Sequence, residues 1–264
     1  MKTLQILVSC VLLCPTCHAV VFDWPTTPAW SGTGPTSGNT EAVDYGYYAN
    51  GSVSVSVFNS GEIWNAGFPI VQTGAARTTT GGTAATVNGF QLFLNNASNV
   101  PTNFVHVTIN FLYTGGANNI SFNLWDVDFG AGIFTDKIAN IVGTTAGGAT
   151  VQATTITPTA TFNQVNGTVG TAGVNVTGIA AAVNTTANGN VTIGFTQTVT
   201  SISFEWSSAL AGGTTQAIGI SPITFTGLGS PFPEVGSAFG ALSLCGGMLA
   251  FGRRRRAQGS RCEA

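Results

Sequence analysis

Residues 51–58 read GSVSVSVF. Valine alternates with serine at every step, so in an extended chain all the valines fall on one face and all the serines on the other. That is the pattern of a strand with one buried side, and a helix would scatter it around its circumference. The same period recurs on either side of a long middle section. FVHVTINFLY (104–113) is β-branched and aromatic, and NVTIGFT (190–196) and TSISFEW (200–206) repeat the alternation. Between and beyond them lie FQLFLNN near Phe90, ISFNLWDVDF from Ile120, KIANIVG from Lys137, TVQATTI from Thr150, GVNVTGI from Gly173 and ISPITFTG from Ile220. Clusters such as TGGAN, TTAGGA and TTANGN separate them as turns. Many short strands at this spacing, with no amphipathic helix, predict an all-β fold: a single antiparallel β-sandwich of jelly-roll type. The Thr-rich stretches have no fixed period, so a solenoid is not expected.

The sandwich is expected to occupy residues 20–230. Ahead of it, residues 1–19 (MKTLQILVSCVLLCPTCHA) carry Lys2, an apolar run from Leu4 to Leu13 and a small-x-small ending at Ala19. These are the parts of a secretory signal peptide cut after Ala19. All five cysteines lie outside residues 20–230. An exported domain without cysteine must rest on its core, and about 210 residues suffice to bury one. Within that span Arg77 and Lys137 face eight acidic residues, a formal charge of −6. With no basic patch, nucleic acid is excluded as a partner, and so are anionic membrane surfaces. Seven Asn-x-Ser/Thr triplets, at Asn50, Asn96, Asn119, Asn166, Asn175, Asn184 and Asn190, follow from a composition rich in Asn and Thr.

Residues 231–264 form a third segment. Pro233-Glu234 precede 18 uncharged residues, Val235 to Gly252, and then Arg253, Arg254, Arg255 and Arg256. As a helix the apolar stretch would measure about 27 Å, near the thickness of a bilayer core, with the arginines held on the cytoplasmic side. A plain membrane anchor is one reading of it. The order Pro-Glu, apolar helix, Arg cluster also resembles the PEP-CTERM sorting signal of Gram-negative bacteria, with Val235 standing where a second proline is usual. That resemblance implies export, transient membrane insertion through the helix, recognition by an exosortase-type membrane protease, cleavage near the Pro-Glu pair, and a place at the cell surface or in an exopolysaccharide-rich biofilm matrix. SFNLWDVDFGAGIFTDKI (121–138) is similar to the surface domains found ahead of such signals.

Catalytic parts are sparse. Past residue 19 the one histidine is His106, and alternation sets it with Thr108 and Asn110, opposite Val105, Val107 and Ile109. Neither a Cys-His pair nor a Ser-His-Asp triad can be assembled from it. A secreted glycosidase would need two carboxylates, and Glu62 and Glu205 are available, but Glu205 falls on the water side of a strand whose Ile202, Phe204 and Trp206 bury. The expectation is a non-catalytic surface or matrix protein, with a glycan-binding adhesin as the alternative. For that alternative, EAVDYGYYANG (41–51) offers Asp44, Tyr45, Tyr47 and Tyr48, aromatic faces beside a carboxylate that suit sugar rings; the same tyrosines also serve to fill a strand and cover its edge.

Asp126, Asp128 and Asp136 are the candidate metal ligands, for calcium. If one strand runs through Phe122, Leu124, Asp126 and Asp128, the two carboxylates arrive on the core side, where like charges are costly. The turn Gly130-Ala131-Gly132 could return Asp136 as a third oxygen ligand for a hard cation. A salt bridge from Lys137 to one aspartate, with the rest solvated, is the competing arrangement.

Overall fold

The computed structural model describes residues 17–24, 45–49, 52–65, 67–73, 76–95, 102–210 and 215–231. The predicted signal sequence up to residue 16, Asp44, and the predicted sorting segment from residue 232 onward, with Pro233, Glu234 and Arg253 to Arg256, lie outside the described residues. Seventeen strands are present and no helix occurs among the described residues. They are β1 (Cys17–Phe22), β2 (Tyr45–Ala49), β3 (Val53–Asn59), β4 (Ile70–Gln72), β5 (Gly89–Asn95), β6 (Val105–Phe111), β7 (Ala117–Trp125), β8 (Phe129–Gly130) and β9 (Phe134–Thr144). After them come β10 (Thr150–Gln152), β11 (Thr155–Pro158), β12 (Asn163–Asn166), β13 (Asn175–Gly178), β14 (Val191–Phe195), β15 (Ser201–Ser208), β16 (Thr215–Ile220) and β17 (Ile223–Leu228).

The strands form two antiparallel sheets. The first runs β1-β17-β7-β16-β5-β4, with β14 on the other edge of β7 and β11 beyond it. The second runs β12-β13-β9-β15-β6-β3-β2, with β10 and β8 also on β9. The alternating stretches became strands in the sense expected. β3, β6 and β15 bury Val53, Val55 and Val57, Val105, Val107 and Ile109, and Ile202, Phe204 and Trp206. These meet the inner residues of the first sheet in one continuous core, where Phe122 stacks on Phe204 at 6.4 Å and Phe111 meets Phe225 at 4.9 Å. Each fully buried Val, Ile, Leu or Phe contributes about 1.5–3 kcal/mol, so a core of this extent holds the fold without disulfides.

The outer faces of the two sheets differ. On the first, Trp125 points away from the core and is nonetheless fully buried, because the loop before β5 lies over it. Arg77 of that loop stacks on the indole at 5.4 Å and donates to the Thr83 hydroxyl at 2.6 Å and the Ala84 carbonyl at 2.8 Å. A side chain at Gly81, Gly89 or Gly219 would overlap the indole, so three glycines make the slot it occupies. The second sheet's central strands β6 and β15 keep their polar residues half-exposed.

β1 begins at Cys17, three residues ahead of the predicted cut after Ala19, and pairs along its whole length with β17, from Cys17 opposite Leu228 to Phe22 opposite Ile223. A cut after Ala19 leaves Val20 to Phe22 in the strand, including the buried Phe22.

Candidate functional site

Three acidic side chains are buried where β7 passes to β9. β7 ends at Trp125, which corrects the expectation of one strand running on through Asp128. Asp126 adopts φ 65°, the left-handed region, and this breaks the period that would have carried it and Asp128 in line with Phe122 and Leu124. A non-glycine residue there costs about 1 kcal/mol, and aspartate is among the few that tolerate it. Both residues still reach the interior, each 7% exposed, by way of the link between β7 and β8, and Asp136 on β9 is completely buried.

Hydrogen bonds fix the cluster. The Asp136 amide donates to the Asp128 carbonyl at 3.0 Å, and the Asp128 amide returns a bond to Asp136 Oδ2 at 3.1 Å. Trp206 Nε1 donates to Asp136 Oδ1 at 2.8 Å. The Ala182 amide donates to Asp128 Oδ2 at 2.7 Å. The loop after β13 and the start of β12 close the rim: the Val127 amide donates to the Gly189 carbonyl at 2.9 Å, and Asn163 Nδ2 donates to the Val127 carbonyl at 3.2 Å. Gly178 and Gly189 are needed for this approach, since a Cβ at Gly178 would overlap the Asp128 carbonyl and one at Gly189 would sit 2.8 Å from Asp126 Cα.

Burial dominates the electrostatics. Loss of water, then the neighbouring Asp128 charge, pushes the Asp126 carboxyl up to about 8. Burial raises Asp128 as well, against the pull of the Ala182 amide. Asp136 is driven well above the usual carboxylate range by burial and the Asp128 charge, although the Trp206 and Asp128 donors favour its anion. Lys137 follows Asp136 on an alternating strand and pairs with Ser207 and Thr177, so it stands on the opposite face, away from the aspartates, and the competing salt-bridge arrangement does not form.

The three carboxyl groups are thus neighbours, as expected, but their oxygens are not equally available. Both oxygens of Asp136 and one of Asp128 accept protein hydrogen bonds, leaving Asp126 and Asp128 Oδ1. Among the described residues no three His, Cys, Asp or Glu side chains are arranged to hold a metal ion. Calcium takes six to eight oxygens, and the bonds that Asp136 accepts also make it an anchor for Trp206 and the β8 link.

The second group of polar residues lies on the outer face of the second sheet. Phe58, His106 and Glu205 stand opposite one another on β3, β6 and β15. Asn140 of β9 adjoins them where the β9–β15 register shifts, at φ 50°. Its Nδ2 donates to Glu205 Oε2 at 2.7 Å, while His106 Nδ1 lies 3.6 Å from Glu205 Oε1. His106 and Glu205 therefore face water as the alternation predicts. Glu62 does not join them: it is 1% exposed and tied through its backbone to Asn59, so it cannot meet a substrate where Glu205 does. Of the β2 tyrosines, Tyr45 occupies the register position opposite Val57 and Tyr48 that opposite Val55, with a bulge between them on an edge strand.

No protein-family profile matches the chain, and no curated protein matches it. A solved carbohydrate-binding module from the β-sandwich superfamily aligns over 80% of this chain and 96% of its own, at 11% identity. The TM-score is 0.24. That is too loose a likeness to carry an argument about this chain.

Proposed function

We propose that this protein is an exported, non-catalytic surface or matrix protein, whose sandwich is the working part and whose leader and tail are processing signals. The observation that carries the reading is the commitment of its carboxylates. Asp128 and Asp136 are locked into the β7–β9 link, Glu62 is closed to solvent, and Glu205 stands on an open sheet face with His106 and Asn140. Neither a second accessible carboxylate nor a nucleophile with its base accompanies Glu205 among the described residues. The alternation of β5, β6, β7 and β9 between the two sheets supports the jelly-roll type. Export rests on the signal sequence, and exosortase processing rests on the order Pro233-Glu234, apolar segment, Arg253 to Arg256. Mass spectrometry of cell-surface material tests it: peptides from the sandwich are expected without any from Phe239 to Ala264. Recovery of the intact tail in membranes would leave a plain anchor in its place.

Glycan binding is the second reading, favoured by one observation: the second sheet's outer face carries half-exposed polar side chains along β6 and β15, whereas the first sheet's outer face is covered over Trp125. Calcium belongs to the proposal in reduced form, held by Asp126 and Asp128 Oδ1 with backbone and water oxygens, where it would offset the repulsion between two buried carboxylates.

A further inference from the structure

We infer that the row Phe58–His106–Glu205–Asn140 binds a neutral polysaccharide chain lying across the second sheet, an inference that rests on the glycan-binding reading and gives it a place. Each side chain comes from a different strand. β6 and β15 are paired on both edges, so the row's centre is held rigidly. Strands lie about 4.8 Å apart, so four of them set the row at about 14 Å, longer than one pyranose ring.

Phe58 is 49% exposed at one end, its ring supported from the side by Phe104 at 6.1 Å. An aromatic face left open in this way offers the apolar C–H side of a sugar ring a place to rest. Beside it, Glu205 accepts, Asn140 donates and accepts, and His106 can do either, which matches vicinal hydroxyls that both donate and accept. Asn140 already holds Glu205 Oε2, so the carboxylate is oriented before any ligand arrives. The next row, Ser56, Thr108 and Ser203, extends the same hydroxyl chemistry along the sheet; beyond it Ser54 is fully buried under the Asn110 amide's bond, which bounds the site on that side.

The ligand class follows from charge and shape. Glu205 sits at the centre of the row and would repel uronate or sulfated chains, while Lys137 stands one row away opposite Ser207. A protein partner fits poorly. A stable protein interface needs roughly 1,000 Å² with an apolar centre, and this face has one exposed ring. Because both edges of β6 and β15 are already paired, it also offers no free backbone groups for an added strand.

The test is binding of the purified protein to immobilised neutral polysaccharides (β-glucan, mannan, xylan, galactan) beside alginate and polygalacturonate. The variants are Phe58→Ala, Phe58→Trp, Glu205→Gln, Asn140→Gly and, on β2, Tyr47→Ala. Phe58→Ala and Glu205→Gln are expected to weaken binding to one or more neutral chains about tenfold each, with Phe58→Trp binding at least as well as wild type. All five substitutions sit at strand surfaces or edges, so unchanged thermal unfolding separates lost contact from lost fold. Retention of binding in Phe58→Ala and Glu205→Gln but loss in Tyr47→Ala would overturn this face while leaving glycan binding in place. Binding to the acidic polymers alone would overturn the neutral-chain assignment. No binding to any polysaccharide would overturn both.

Discussion

Raising the pH should destabilise this protein across a range where most proteins are indifferent. The Asp126 carboxyl moves from an ordinary 3.8 to about 8 on folding. A carboxyl raised in the folded state binds its proton more tightly there than in the unfolded chain. Its stabilising contribution is therefore complete below about pH 4 and is lost as pH climbs through 8. Four units at about 1.4 kcal/mol each set an upper limit near 6 kcal/mol, comparable with the 5–15 kcal/mol total of a typical domain. Opening the rim to water would let the carboxylate ionise more cheaply, so roughly half of that limit is the expected loss between pH 5 and pH 8. Asp128 and Asp136 shift in the same direction and add to it. Urea unfolding in chelator at half-unit pH steps measures the slope. Asp126→Asn provides the control, because asparagine accepts φ 65° and cannot ionise: its stability should fall distinctly less between pH 5 and 8. A wild-type midpoint that stays level or rises over that interval, or an Asp126→Asn slope equal to the wild type's, would refute the argument.

Two further outcomes bear on the same link. Gly178→Ala places a Cβ against the Asp128 carbonyl, and urea unfolding should report a loss of about 2–4 kcal/mol; a loss below about 1 kcal/mol would mean that the loop after β13 does not hold the aspartates as described. Calcium at a hundredfold over its dissociation constant should add about 2.7 kcal/mol at pH 8, read as roughly 5–10 °C in melting temperature, and much less at pH 5, where protons occupy Asp126. Identical melting curves at pH 8 in calcium and in chelator would remove the cation from the proposal.

The two-sheet core was legible wherever one face of a strand meets water. In β3, β6 and β15 the alternation names each buried residue, and it also places His106 and Glu205 outside. Strands stabilised by distant partners gave no such signal. β1 reads as the end of an apolar leader because its partner β17 lies some 200 residues away, and β16 hides in TQAIGI, buried at five of its six positions and so without a period of two. The aspartate cluster was half legible. Proximity followed from the Asp-x-Asp pattern and the glycine turn, but a single left-handed residue at Asp126 ended the strand early, and the donors Trp206 and Ala182 come from strands and loops that no local pattern connects to it. Phe58 and Asn140 acquire meaning only from the register between strands, which alternation within one strand does not specify.

The pairing of β1 with β17 has a mechanical consequence. With the leader cut after Ala19, β1 still pairs with β17 from Val20 opposite Phe225 to Phe22 opposite Ile223, and the turn before β7 clamps the exit through bonds from the Gly115 amide to the Leu228 carbonyl at 2.8 Å and from the Thr114 amide to the Ser230 carbonyl at 3.1 Å. A pull applied beyond Ser230 enters at Leu228 and runs along β17. The ladder bonds to β1 and β7 lie across that direction. They share the load in shear instead of opening one after another, so the end of β17 resists being drawn out of the sheet.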